Sequence, residues 1–157
     1  MEYVSEIADI LINGGRSISV AESCTGGLLS AALTSKSGAS QWMKAGITAY
    51  TEECKRGLLG LTDKELGRGL VTEACAKGMV MSIAQLTGSD YAISTTGVCD
   101  ASSEGFNPCT VWIGIKTPYA IEAFLIRAED RGRVKNMSYA VEKALELMLN
   151  MMRKEGL

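Results

Sequence analysis

Histidine is absent from the 157 residues, and with it goes both the commonest nitrogen ligand of metals and the usual base of serine and cysteine hydrolases. The five cysteines (Cys24, Cys54, Cys75, Cys99 and Cys109) are odd in number and scattered, with no CxxC pair. That spacing argues against a disulfide framework and a structural zinc site, and reads as reduced thiols. No metal and no cofactor is expected. A basic stripe interleaved with aromatics is also missing: 16 basic against 18 acidic residues leave a formal charge of -2, which makes nucleic acid a poor partner. A small anionic ligand stays compatible, because backbone dipoles hold phosphate without net positive charge. No apolar run approaches the roughly 20 residues needed to cross a bilayer. The N-terminus lacks a basic region followed by an apolar core and a cleavage site. No membrane partner is expected, and the cytoplasm is the default compartment. There is no internal repeat, linker or low-complexity tract, and a 46% hydrophobic content suits one compact domain with a core of its own.

What is present is an alternation of helix and strand patterns. Val4, Ile7, Ala8 and Leu11 sit at helical spacing, with a stop at Asn13-Gly14-Gly15. A strand follows through Ser17 to Ala21, then a helix from about Gly26 to Thr34. The run Gly46 to Tyr50 reads as a second strand, Thr51 to Leu59 as a short helix, and Thr62 as the cap of another. Thr72 opens a long helix to about Thr87, whose stripe of Ala76, Met79, Val80, Ile83, Ala84 and Leu86 reads as core rather than as a cofactor surface. Tyr91 to Thr96 is a strand ending at Gly97, and Val98 to Cys109 an irregular loop. Thr110–Lys116 and Tyr119–Ile126 are adjacent strands, expected to be antiparallel, the first of them buried. A last helix from about Arg133 to Arg153 carries Val134, Met137, Val141, Leu145, Met148 and Met152, a face for core or oligomer packing. The pattern predicts a single-domain, three-layer α/β/α sandwich with a mostly parallel or mixed sheet, and a homo-oligomer is expected.

The chain is organised around Ser17 to Leu29, where a strand breaks into the hydroxyl- and glycine-rich turn Glu22-Ser23-Cys24-Thr25-Gly26-Gly27 before a helix. Such a junction aims unpaired N–H groups and the positive helix pole at one point, where a phosphate or an oxyanion can sit. On the residues alone, Ser23 and Thr25 serve equally well as helix caps. Without histidine, a serine nucleophile needs another base. A desolvated lysine supplies one and a tyrosine can relay the proton, so Ser23, Tyr50 and Lys55, each near a strand end, form a candidate set. Read by themselves, Tyr50 and Lys55 fit a strand-edge aromatic and a solvated helix charge.

Ala21 to Gly27, together with Gly46-Ile47-Thr48-Ala49-Tyr50 through Lys55 and Leu58-Leu59-Gly60, resembles the CinA C-terminal domain family, which includes nicotinamide mononucleotide deamidases. Val71-Thr72-Glu73, Thr95-Thr96-Gly97 and Thr110 to Gly114 follow in the family's order. The resemblance implies a Ser/Lys amidohydrolase acting on a small-molecule nucleotide, converting nicotinamide mononucleotide to nicotinate mononucleotide and ammonia. Ser23 matches the nucleophile, Lys55 its general base and Tyr50 the tyrosine that assists proton transfer. For substrate binding the matches are Thr96, Gly97 and Arg131, and the helix-start groups of Thr25, Gly26 and Gly27 are read as oxyanion and substrate contacts. One stretch departs from the family: where it continues into a Gly-rich loop, residues 98–105 read Val-Cys-Asp-Ala-Ser-Ser-Glu-Gly. Asp100 and Glu104 there bring negative charge to a place that suits phosphate. The alternatives are a catalytically altered module of the same fold that binds a nucleotide or partner through this loop, a Ser/Lys amidase for another carboxamide, and a Cys24 nucleophile.

Overall fold

The computed structural model describes residues 2–100 and 105–157. Its order is α1 (Glu2–Gly14), β1 (Ile18–Glu22), α2 (Leu28–Thr34), β2 (Met43–Thr48), α3 (Glu52–Gly57), α4 (Asp63–Leu66), α5 (Glu73–Thr87), β3 (Tyr91–Val98), β4 (Thr110–Lys116), β5 (Ile121–Arg127) and α6 (Arg133–Lys154). One five-stranded sheet runs β2-β1-β3-β4-β5. β1 is parallel to both its neighbours, while β3 with β4 and β4 with β5 are antiparallel. The sheet is therefore mixed.

The period-2 alternation of β1 divides the layers. Ile18 and Val20 join the core formed with α1, α2 and α6, whereas Ala21 joins the core under α5 and α4, giving helices on both faces. All four apolar positions expected of α1 are buried. The α5 stripe is buried from Cys75 to Ala84, but Leu86 in the last turn is 60% exposed, and so is Val134 (72%) at the start of α6. β5 has the half-exposed pattern of an edge strand, β4 that of a buried one.

Element ends follow from local chemistry. Thr51 and Thr72 cap α3 and α5 by accepting from Cys54 N and Cys75 N (both 3.1 Å), and Thr62 with Glu65 forms a capping box on α4. The Thr51 cap forces a turn before it, so β2 stops at Thr48 and Tyr50 lies beyond the strand in which the sequence placed it. The turn at Thr117-Pro118 uses the Thr117 hydroxyl as acceptor for the amides of Tyr119 and Ala120, so β5 starts at Ile121 rather than Tyr119. Among the described residues no helix is long and apolar enough to cross a membrane.

One glycine sets the distance between α5 and the sheet. A Cβ at Gly114 of β4 would collide with Ser94 Oγ and lie 2.6 Å from the Ala76 carbonyl oxygen, the same oxygen that accepts the Ser94 hydroxyl at 2.6 Å. Gly114→Ala is expected to lower unfolding free energy by about 1–3 kcal/mol through overpacking, read by urea denaturation; an unchanged midpoint would show that α5 slides freely on β4.

Candidate active site

The parallel strands β1, β2 and β3 point their C-terminal ends to one edge. Their crossovers leave on opposite faces, through α2 on one and α3 to α5 on the other, and ligands of open α/β sheets gather at such a place. A cavity of about 200 Å³ lies there, reached by Ser23 and Cys24 after β1, Tyr50 after β2, Lys55 of α3, and Thr96 to Asp100 at the end of β3. Leu70, Val71 and Arg133 complete its wall.

Lys55 is 1% exposed. Its Nζ donates to Ser23 Oγ (2.8 Å), to the Ala49 carbonyl (2.8 Å) and to the Tyr50 carbonyl (3.4 Å). These partners are all neutral oxygens. Burial accordingly pushes the Lys55 amine below the ordinary lysine pKa, against smaller opposing effects of Cys75, Cys24, Cys54 and Glu52. The structure thus brings Ser23 and Lys55 together. Tyr50 takes part through its carbonyl, while its half-exposed ring stands at the rim and its phenol accepts from Arg133 Nη2 at 2.7 Å. Among the described residues that phenol has no hydrogen bond to Ser23 or Lys55. Arg133 in turn donates from Nη1 to Asp100 Oδ2 at 2.6 Å.

Glu22 is the residue that sequence reasoning missed. It follows Ile18 and Val20 on the α2 side of β1 and is fully buried. Its Oε2 accepts from Thr25 Oγ1 (2.6 Å), Gly27 N (3.2 Å) and Leu29 N (2.9 Å), and its Oε1 accepts from Ser30 N (2.8 Å) and Ser30 Oγ (2.7 Å). The carboxylate occupies the helix start that, by its sequence, suits a phosphate or an oxyanion. Gly26 and Gly27, with φ of 61° and 101°, let the chain fold back over it. For this reason α2 begins at Leu28 and not at Gly26. Gly46 on the adjoining strand is also explained, since a Cβ there would strike Ser30 Oγ.

Several expected contacts are displaced as a result. Thr25 is fully buried, with its hydroxyl between Glu22 and Thr95 Oγ1 (2.7 Å), and neither it nor Gly26 or Gly27 reaches the cavity. Thr96 and Gly97 do line it, though the Thr96 hydroxyl is committed to the Leu70 carbonyl (2.7 Å), fastening the α4–α5 segment to β3. Arg131 turns away: its amide donates to Asn136 Oδ1 (3.1 Å) and its guanidinium lies over the Tyr139 ring, 5.4 Å from the centroid. Arg133 stands on the cavity wall in its place. The basic character of residues 131–133 was a signal for an arginine here; which of the two faces inward depends on the α6 start at Gly132. Of the departing 98–105 loop, Ala101, Ser102, Ser103 and Glu104 lie outside the described residues.

A family model, the CinA C-terminal domain, matches residues 1–152. The chain belongs to that family. A CinA-like protein of Shewanella woodyi is 32% identical over 146 residues, which is 91% of this chain and 34% of the relative. The CinA domain described here spans between 27% and 34% of the length of the first curated relatives it matches. Among solved structures, the competence damage-inducible protein A (ComA) of Klebsiella pneumoniae superposes on the CinA domain with a TM-score of 0.91 at 29% identity, covering 97% of this chain and 96% of that one. The competence/damage inducible protein CihA of Agrobacterium tumefaciens gives 0.89 at 28% identity, covering 95% and 93%.

Proposed function

We propose that the domain is an amidohydrolase of the Ser/Lys type that deamidates nicotinamide mononucleotide to nicotinate mononucleotide and ammonia. The observation that supports this most is the buried Lys55 amine, 2.8 Å from the Ser23 hydroxyl. In the neutral amine two hydrogens point at the Ala49 and Tyr50 carbonyls, which leaves the lone pair for the Ser23 proton. Ser23 Oγ then attacks the carboxamide carbon while Lys55 takes its proton. Collapse expels the amide nitrogen, which takes the proton from Lys55 and leaves as ammonia. Water then attacks the Ser23 ester and gives its proton to Lys55, and the collapse that frees the carboxylic acid returns that proton from Lys55 to the departing Ser23 Oγ. The half-exposed Tyr50 ring beside the apolar Leu70 and Val71 offers a flat surface to the pyridine.

Incubation of the chain with nicotinamide mononucleotide tests this directly. Ammonia and nicotinate mononucleotide in equal amounts are expected; the absence of both, with saturable binding by calorimetry, would select the altered binding module instead. That second reading is favoured by the Asp100 carboxylate on Arg133, because a substrate phosphate must compete for a guanidinium already paired at both Nη1 and Nη2. Asp100→Asn is therefore expected to lower the KM for the phosphorylated substrate roughly three- to tenfold, an effect that shrinks with added salt, and to leave that for nicotinamide riboside unchanged. Equal changes for both substrates would remove Asp100 from the specificity argument.

A further inference from the structure

Two buried nucleophilic groups at the cavity have no part in this mechanism. Cys24 follows Ser23 in the β1 turn and Cys99 stands at the end of β3; both line the cavity and both belong to the same packed core. They are 6% and 2% exposed, and the two thiols lie close enough to shift each other's proton affinity. We propose that Cys24 and Cys99 are a redox pair that a hydroperoxide closes into a disulfide across the Ser23 cavity.

The backbone holds both partners in place. The Cys99 carbonyl accepts from the buried Asn136 side chain at 3.0 Å, and Asn136 also binds Asp130 and the Arg131 amide, so this end of β3 is fastened to the α6 start. On the other side, the turn of Cys24 is closed by Gly26 N donating to the Ser23 carbonyl at 3.1 Å and by the Glu22 carboxylate beneath it. The two thiols also differ in character. The Cys24 neighbour and the Arg133 guanidinium on the cavity wall lower the Cys99 pKa against burial and Asp100, so Cys99 is assigned as the attacking sulfur and Cys24 as the resolving one.

The chemistry balances with a hydroperoxide as the oxidant. The Cys99 thiolate attacks the peroxide oxygen, the O–O bond breaks, and the leaving hydroxide takes a proton to become water. Cys24, losing its proton, attacks the Cys99 sulfenic acid, the S–O bond breaks, and a second water leaves as the S–S bond forms. Both sulfurs are oxidised and the peroxide is reduced. The new bond would tie the residue beside Ser23 to the end of β3.

The full chain treated with hydrogen peroxide and then with iodoacetamide tests the proposal without any substrate, so the outcome is independent of the hydrolase reading. The expected result is an intact mass lower by about 2 Da before alkylation, a fall from five alkylatable thiols to three under denaturing conditions, a cross-linked peptide joining Cys24 to Cys99, and full reversal by dithiothreitol. Cys99→Ser and, separately, Cys24→Ser, each shown to be folded by its thermal melt, are expected to lose the cross-link. A bridge from Cys99 to Cys109, oxygen added to Cys99 with no cross-link, or a mass loss that persists in Cys24→Ser would overturn it.

Discussion

Replacing Ser23 with alanine is expected to lower carboxamide turnover by at least about a thousandfold, and Lys55→Met is expected to match it in kcat while moving KM little. The two losses should not multiply in the double variant, because an alcohol and the amine that deprotonates it act as one unit. Lys55→Met also removes a desolvated amine and keeps an apolar chain of similar length, so the thermal midpoint should fall little or rise. That separates a chemical defect from an unfolded protein. A pH profile gives a further reading. The base works only when neutral, so kcat/KM rises with pH through the Lys55 pKa, and burial places that limb below the ordinary lysine value of 10.5. Between the folded and unfolded pKa values the folded chain holds fewer protons at Lys55 than the unfolded one, so stability also rises with pH across that window. Both trends should vanish in Lys55→Met. Ser23→Ala retaining more than about a tenth of wild-type turnover would end the nucleophile assignment, and a rate limb unchanged in Lys55→Met would end the base assignment.

The architecture was largely legible because it rests on periodicity. The α1 and α5 stripes, the buried β4 run and the late antiparallel pair all follow from spacings of 3.6 and 2, and both exposed exceptions, Leu86 and Val134, sit in terminal turns where a stripe runs past its packing partner. From the residues alone the encounter of Ser23 with Lys55 was legible only as two residues near strand ends; the family resemblance is what paired them as nucleophile and base. The burial that changes the lysine's chemistry, with its amine on the Ala49 and Tyr50 carbonyls, is one that no periodicity encodes. The sequence offers Arg131, whereas Arg133 lines the cavity: buried Asn136 holds the Arg131 amide ahead of α6, and that contact lies five residues away in sequence. The turn after β1 misled most. Its glycines and hydroxyls suggest an open anion site, yet its own carboxylate fills it. Strand parity was the available clue, since Glu22 continues the Ile18, Val20 face and must be buried with donors around it.

Glu22→Ala is accordingly expected to be the most destabilising single change outside the apolar core. It strands the hydroxyls of Thr25 and Ser30 and the amides of Gly27, Leu29 and Ser30, all of which point at the vacated space. Deleting the acceptor of a buried, charge-assisted network costs about 3–5 kcal/mol, which for a domain of this size lowers the melting temperature on the order of 10 °C. Glu22→Gln keeps one oxygen but turns an NH₂ toward donors, so it should recover only part of the loss. α2 is seven residues long, too short to hold itself together, and the Glu22 carboxylate serves as the cap that its left-handed Gly27 cannot provide. Amide hydrogen exchange should therefore quicken first across residues 27–34, and the Ser23 turn should loosen with it, lowering turnover even where the variant stays folded. A Glu22→Ala protein within about 1 kcal/mol of wild type by urea denaturation would mean that water or a rearranged turn replaces the carboxylate, and the Ser23 hydroxyl would then owe its position to Lys55 alone.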